Sequence, residues 1–463
     1  MRRDRTSAKS RWWLSVTALA GLAAASGAQA EQKAQPPSIW DQDTLTGDWG
    51  GTRTALKNKG IDIDLDYTNE VFGVVSGGLQ QRASYEGQWR FAVNTDLEKL
   101  IGWTGGKTHV TIFQIHNSGR DVIDNAGSIS DPSNIDAWST TRLYTAWFEQ
   151  DFGGLLSVRL GQIVGDGAFF TSDTAGGLIN GTFGWNSLLG ANLLSGGPTY
   201  PLGTPGVRVQ ANPGGDVTLL AAVFSGDPAG DNCNDTNRQK CDRYGTKFSF
   251  DGGVLTMAEV QYAVNQGKQA VGLPGAYKLG GWYASADYRD RHYGLNAAGA
   301  QVSLADPTAT FALTHQGNGG VYAVADQMVW RATASSVNLF ARGGVVPSDR
   351  NLVSYYVDGG FGIKGPLPGR ADDTLTFGAA YAKISPAAVA LDRDFLAFNG
   401  PPYAIRDAET VFEVSYAAQI APWWVVQPDL QYIWHPCGGQ NLSDPTLTLD
   451  HAFIAGIRST IKF

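Results

Sequence analysis

The chain has 463 residues, with 43 acidic against 35 basic side chains. A formal charge of −8 and the lack of any basic stripe exclude a nucleic-acid surface. Past the N-terminal leader no stretch approaches the roughly 18 apolar residues of a membrane helix, so a place in a membrane would require a closed barrel.

Residues 1–30 read as a signal peptide. Arg2, Arg3, Arg5, Lys9 and Arg11 form a basic start, Trp12 to Ala25 is mostly apolar, and Ala28-Gln29-Ala30 is a small-residue cleavage site. Residues 31–60 precede the first strand. Within LTGDWGGTRTALKNKGI (45–61), Asp48 and Thr52 are cap residues for a short helix that Gly60 ends.

Strands follow. Residues 61–68, IDIDLDYT, alternate strictly, with three carboxylates on the polar face. In 88–97 the outer set is Trp89, Phe91, Val93, Thr95 and Leu97, and the inner set is Gln88, Arg90, Ala92, Asn94 and Asp96. Leu156, Val158 and Leu160 alternate with Ser157 and Arg159, and Val207 and Val209 with Arg208 and Gln210. The last thirteen residues, HAFIAGIRSTIKF, place Phe453, Ile457, Ile461 and Phe463 on one face and Arg458 and Lys462 on the other. A strand with an oily and a wet side, ending on an aromatic, suits the closing strand of a transmembrane barrel. The 58 glycines and 11% aromatics suit tight turns and strands.

Connections alternate in length. Short ones fall near 98–106, 151–154, 212–215, 265–275, 332–336, 365–372 and 420–423. Long ones fall at 72–86, 117–139, 164–205, 225–253, 287–319, 384–408 and 435–450, with a shorter member at 346–354. Short turns on one rim and long loops on the other are the asymmetry of bacterial outer-membrane barrels. Seventeen segments look strand-like, but chain ends sharing one rim require an even number. Leaving out the weakest, 246–250, gives an all-β, transmembrane antiparallel barrel of sixteen strands over 61–463, with short periplasmic turns and long extracellular loops. Residues 31–60 then form an N-terminal periplasmic segment. Trp103, Trp330, Trp423, Trp424 and Phe463 sit at or beside short-turn ends, where an interfacial aromatic girdle belongs.

The chain resembles the OprB-type carbohydrate-selective porins over essentially all of 40–463. The likeness rests on LTGDWGGTRTALKNKGI (45–61), NTDLEKLIGWTGG (94–106), WFEQDF (147–152), YPLGTPGVRV (200–209), FSGDP (224–228), LPGAYKLGGWY (273–283), YAVADQMVWR (322–331), LFARGG (339–344), QPDLQYIWHP (427–436) and GIRSTIKF (456–463). Cys437 in HPCGG departs from it, standing where a small residue such as Gly is expected. The resemblance implies a barrel in outer-membrane lipid that passes glucose and related sugars by diffusion, with no cofactor. It leaves monomer and homotrimer open.

A sugar path needs hydrogen-bonding groups and aromatic surface, and must bind weakly enough to release its solute. By alternation the lumen-facing candidates are Arg90, Asn94, Asp96, Trp147, Glu149, Arg159 and Arg208. They cluster around the longest connection, 164–205, which carries Asp166, Phe169 and Trp185 and is expected to fold inward and narrow the channel. Cys233 and Cys241 are expected to form a disulfide in an oxidising compartment. The six histidines give no pair at metal-ligand spacing, and no nucleophile elbow or phosphate loop occurs, so no enzyme is read here. The rival reading is a general or anion-preferring diffusion porin, which the mixture of arginines with carboxylates disfavours.

Overall fold

Period-two patterning becomes one antiparallel sheet that meets itself. The computed structural model describes residues 38–463 apart from 232, 268 and 269. The expected signal segment, 1–30, lies outside the described residues. The strands are β1 (Ile61–Gly77), β2 (Ala83–Asp96), β3 (Gly106–Asn117), β4 (Thr140–Phe152), β5 (Leu156–Ile163), β6 (Thr204–Gly214), β7 (Val217–Ser225), β8 (Val254–Val264) and β9 (Gly275–Asn296). After the short β10 (Gln301–Ser303) come β11 (Ala309–Arg331), β12 (Ser336–Val345), β13 (Val353–Lys364), β14 (Thr374–Ile384), β15 (Ala408–Ala421), β16 (Trp424–Trp434) and β17 (His451–Lys462). β1 pairs with both β2 and β17, Asp66 lying opposite Arg90 on one side and Lys462 on the other. Closure leaves the wall without a free edge. β10 only folds back on β9 within a connection, so sixteen strands make the wall. Segment 246–250 forms no strand, in agreement with its exclusion from the count.

The barrel is inside-out relative to a water-soluble fold. Val71, Phe91, Leu160, Val207, Leu279, Leu339, Leu430 and Ile457 are exposed on the outer face, while Glu70, Arg342, Glu413, Asp429 and Arg458 are buried within. An apolar belt around the whole circumference is far larger than the patches soluble monomers expose, and it matches a hydrocarbon surround.

Two expected long loops are largely strand. β9 and β11 have 22 and 23 residues, so the connection read at 287–319 shrinks to 297–308. Alternation simply continues: Trp282, Ala284, Tyr288 and Asp290 are buried, while Tyr283 and Tyr293 are exposed. Only about 9–11 residues of a strand cross the bilayer, so this hairpin stands well beyond the long-loop rim. Likewise β1 and β2 leave only 78–82 of the loop expected at 72–86, because Phe72 and Val74 stay buried while Val71 and Val75 stay exposed.

At the short-turn rim, helix α1 (Thr52–Asn58) forms as expected, with the Asp48 carboxylate accepting from the Thr54 N–H and hydroxyl at 2.8 and 2.9 Å. Gly60, at φ +91°, follows it; a Cβ there would lie 2.5 Å from the Asp96 carbonyl oxygen. The segment is fastened to the chain's other end: the Leu45 N–H donates to the Lys462 carbonyl at 2.8 Å, and Arg53 donates to Phe463 O at 2.5 Å. Trp103 and Trp330 are half-exposed at this rim, as a girdle requires, but Trp423 is only 7% exposed. Its indole donates to the Ile39 carbonyl and Trp40 stacks on it, so it anchors the N-terminal segment instead.

Candidate functional site

A polar strip runs across the inner wall of β1–β6, and strand register assembles it. Asp66 faces Arg90, Asn94 faces His109, His109 faces Trp147, and Glu149 faces Arg159, which in turn faces Arg208. Arg90 Nε donates to Asp66 at 2.7 Å, and Asn94 Nδ2 to Asp64 at 3.1 Å. His109 Nδ1 lies 2.6 Å from Asn94 Oδ1, and its ring stacks on Trp147 with centroids 4.9 Å apart. Trp147 also carries the Arg159 guanidinium, 3.7 Å from the ring centroid. Arg159 and Arg208 stand directly opposite each other, an arrangement that would repel alone. Glu149 Oε2 resolves it, accepting from Arg159 at 2.8 Å and from Arg208 at 3.1 Å. Gly161, at φ +138°, faces Trp147; a Cβ there would meet the Ala146 carbonyl oxygen at 2.3 Å. Side-chain exposures of 37% for Arg90, 23% for Arg159 and 15% for Arg208 leave guanidinium edges open to the lumen.

The opposite side of the lumen is filled by the connection between β5 and β6, residues 164–203. Its Phe169, Phe170, Ile179, Phe183, Leu188 and Leu189 join wall residues Trp282, Tyr322, Phe340 and Tyr356 in one apolar cluster. Buried wall charges satisfy its backbone. Arg342, on β12, pairs with Asp358 at 2.5 Å and donates to the carbonyls of Phe170, Thr182 and Gly184 at 2.9–3.2 Å. Glu413 accepts the N–H groups of Ile179 and Asn180, and Glu259 that of Phe170. A second connection, 118–139, also turns inward, which the sequence reading did not anticipate. Glu409 accepts its Ile129 and Ser130 N–H groups at 2.7 Å, and Arg458 donates to Asn134 at 2.8 Å. The two connections join through Gly181 N–H to Asp131 O at 2.7 Å and Asn134 N–H to Ile179 O at 3.0 Å. Among the described residues neither donates to or accepts from Arg90, Arg159 or Arg208, so the strip is left as the open flank.

Of the expected site residues, Arg90, Asn94, Trp147, Glu149, Arg159 and Arg208 come together on this strip. Asp96 has another role: β2 ends at it, and its carboxylate caps α2 (Leu97–Ile101) by accepting from the N–H groups of Glu98 and Lys99 at the rim. Phe169 does not face water; it is 1% exposed and packs edge-on against Phe224. Asp166 accepts from the Tyr144 and Thr199 hydroxyls and the Tyr200 N–H, tying the start of its connection to its end. Burial raises its carboxyl pKa against the pull of those three donors. Trp185 lines a cavity between the two inward connections with Asp131, Asp136 and Asp166. Cys233 and Cys241 are joined by a disulfide with Cα atoms 5.5 Å apart, and burial pushes the free Cys437 thiol up to about 12. The sequence reading missed His109 and Arg342. His109 was legible, since Lys107, His109 and Thr111 share the inner face of β3; nothing in LFARGG marked Arg342.

Residues 80–463 match the family described as carbohydrate-selective porin, OprB family. The chain belongs to the OprB family of carbohydrate-selective porins. It is therefore a sugar-selective porin of the outer membrane, with its strip and inward connections lying in the channel. The porin is 29% identical to Porin B of Pseudomonas aeruginosa over 96% of each chain. It is 24% identical to the putative porin QuiX of Acinetobacter baylyi, over 92% of this chain and 94% of that one. Among solved structures it is similar to the high-pH structure of Pseudomonas putida OprB, with a TM-score of 0.80 and 25% identity over 92% of the porin and all of that chain.

Proposed function

We propose that the β1–β6 strip selects the solute, and that the porin passes glucose and related neutral sugars by carrying them along Arg90, Asn94, Trp147, Arg159 and Arg208. The observation that carries this is Glu149 held between Arg159 and Arg208, with Arg159 lying on Trp147. The carboxylate offsets charge, so the strip offers donors without a single-sign ring that would favour ions. Each guanidinium has five N–H donors and spends few on its partners, leaving a planar fork for adjacent hydroxyls. A few such bonds, offset by lost hydration, suit a millimolar affinity near −4 kcal/mol, weak enough for release. The connection 164–203 narrows the path by blocking the other flank. Nothing is transformed on the way: the chain works as a conduit without a catalytic step.

In this reading residues 1–30 direct export and are removed after Ala30, and residues 31–60 face the periplasm. One barrel contains the whole strip, so a homotrimer would add no residue to the path; cross-linking in native membranes counts the copies. The reading is tested by liposome swelling. Arg159→Ala should lower glucose flux more than flux of a size-matched neutral amide, and equal loss of both would sink it. An anion-preferring pore would instead show a chloride-directed reversal potential in a salt gradient.

A further inference from the structure

The two inward connections line a cavity of about 470 Å³ between them, within the range of small-molecule sites. It is lined by Asp131, Asp136, Asp166, Trp185 and Tyr200. It shares carboxylates and an indole with the strip but has no guanidinium among its lining residues. The indole is held at one edge, where Nε1 donates to the Gly196 carbonyl at 2.8 Å. Beside it the lining is glycine: a Cβ on Gly190 would come no nearer than 3.8 Å to Trp185, a Cβ on Gly184 would meet only the Gly181 carbonyl at 3.5 Å, and one on Gly167 would meet nothing within 4 Å. These positions face open space, so a flat solute can approach the backbone and the ring. Asp136 is only 8% exposed, yet its Oδ2 has no hydrogen-bond partner. That oxygen has no accessible surface, so a hydroxyl in the cavity reaches this carboxyl at its other oxygen, Oδ1. Asp131 keeps one oxygen engaged by the Ser133 N–H at 3.0 Å.

We propose that this cavity is a capture subsite for a neutral sugar ring, which lays its C–H face on Trp185 and donates hydroxyls to Asp136 and Asp131 before passing to the strip. The inference rests on the reading of the strip as the sugar path. A ring polyol fits both stations, since its hydroxyls can hydrogen-bond the carboxyl groups at one and accept from guanidiniums at the other. Two weak stations in series also favour throughput, because neither has to hold the solute tightly.

The test uses the whole mature porin in planar bilayers, with glucose as the probe and the half-blocking glucose concentration as the readout. Trp185→Ala and Asp136→Asn should each raise that concentration about three-fold or more, and Trp185→Phe, which keeps an aromatic face, by less. Arg159→Ala is run alongside. If Trp185→Ala and Asp136→Asn leave block unchanged while Arg159→Ala alters it, the cavity holds no sugar and the strip stands. If none of the three alters it, both readings fall. Should Trp185→Ala fail to yield a heat-modifiable barrel, Trp185→Phe and Asp136→Asn decide, and no change in either overturns the proposal.

Discussion

The Arg159 guanidinium lies 3.7 Å above the Trp147 ring centroid while its Nε donates to Glu149 at 2.8 Å. The aromatic ring and the carboxylate together hold the fork in one orientation, and lost rotamer freedom is thereby settled before a solute arrives. Replacing Trp147 with Ala should free the fork and remove about 0.5–2 kcal/mol of orienting attraction. The expected result is a fall of a few-fold in glucose flux relative to a size-matched amide in swelling assays, with single-channel conductance unchanged or raised.

Glu149 is the only carboxylate bonded to both Arg159 and Arg208 among the described residues. Glu149→Gln leaves two guanidiniums opposed across adjacent strands with no counter-charge. The channel should then prefer anions, read as a shift of the reversal potential toward that of chloride in a potassium chloride gradient. Dilute salt should enlarge the shift and concentrated salt should shrink it, since screening shortens with ionic strength.

Arg342 is fully buried, and it joins Asp358 on the wall to three carbonyls of the constriction connection. Arg342→Ala leaves the buried Asp358 carboxylate without its counter-charge and with the Tyr356 hydroxyl as donor, a loss of about 3–5 kcal/mol in such pairs. Because the strand ladder does not depend on it, the barrel should still form, with heat-dependent migration on gels. Single-channel conductance should rise and the glucose preference should drop. Lys cannot span the same set of acceptors, so Arg342→Lys should not restore selectivity.

Leu339, 45% exposed on β12, faces outward next to inward Phe340. Leu339→Arg places a charge in the hydrocarbon belt at a cost of about 2–4 kcal/mol near the midplane. The folded fraction recovered in lipid vesicles should fall, while the conductance of barrels that do insert should match that of the unmodified porin.

The connection 118–139 carries Asp131 and Asp136, whose carboxyl pKa values are raised well above the ordinary range, first by burial and then by neighbouring carboxylates. A group with a raised folded pKa binds more protons docked than undocked. Docking of this connection should therefore weaken as pH rises from the ordinary carboxylate range toward those raised values. Protease cleavage within 118–139 should be faster at about pH 8 than at about pH 5, once normalised to a flexible peptide. Equal rates would show that these acids do not govern docking.

What the amino-acid order determined alone was the wall. Apolar side chains alternate with polar ones, and a period of two has only one geometric meaning in a strand, so Phe91, Leu160 and Val207 pointed outward and Arg90, Arg159 and Arg208 inward before any coordinates were needed. Strand ends were less legible, because the hairpin of β9 and β11 keeps alternating past the bilayer and nothing local marks where lipid stops. The filling of the lumen was decided by tertiary structure. Asp96 alternates with Asn94 yet caps a helix, Phe169 sits in a polar connection yet is buried, and residues 118–139 turn inward to meet Glu409 and Arg458 from strands some 270 or more positions away. Those contacts depend on which distant strands the closed sheet brings across the lumen, and a pattern that repeats every two residues carries no information about partners on the far side.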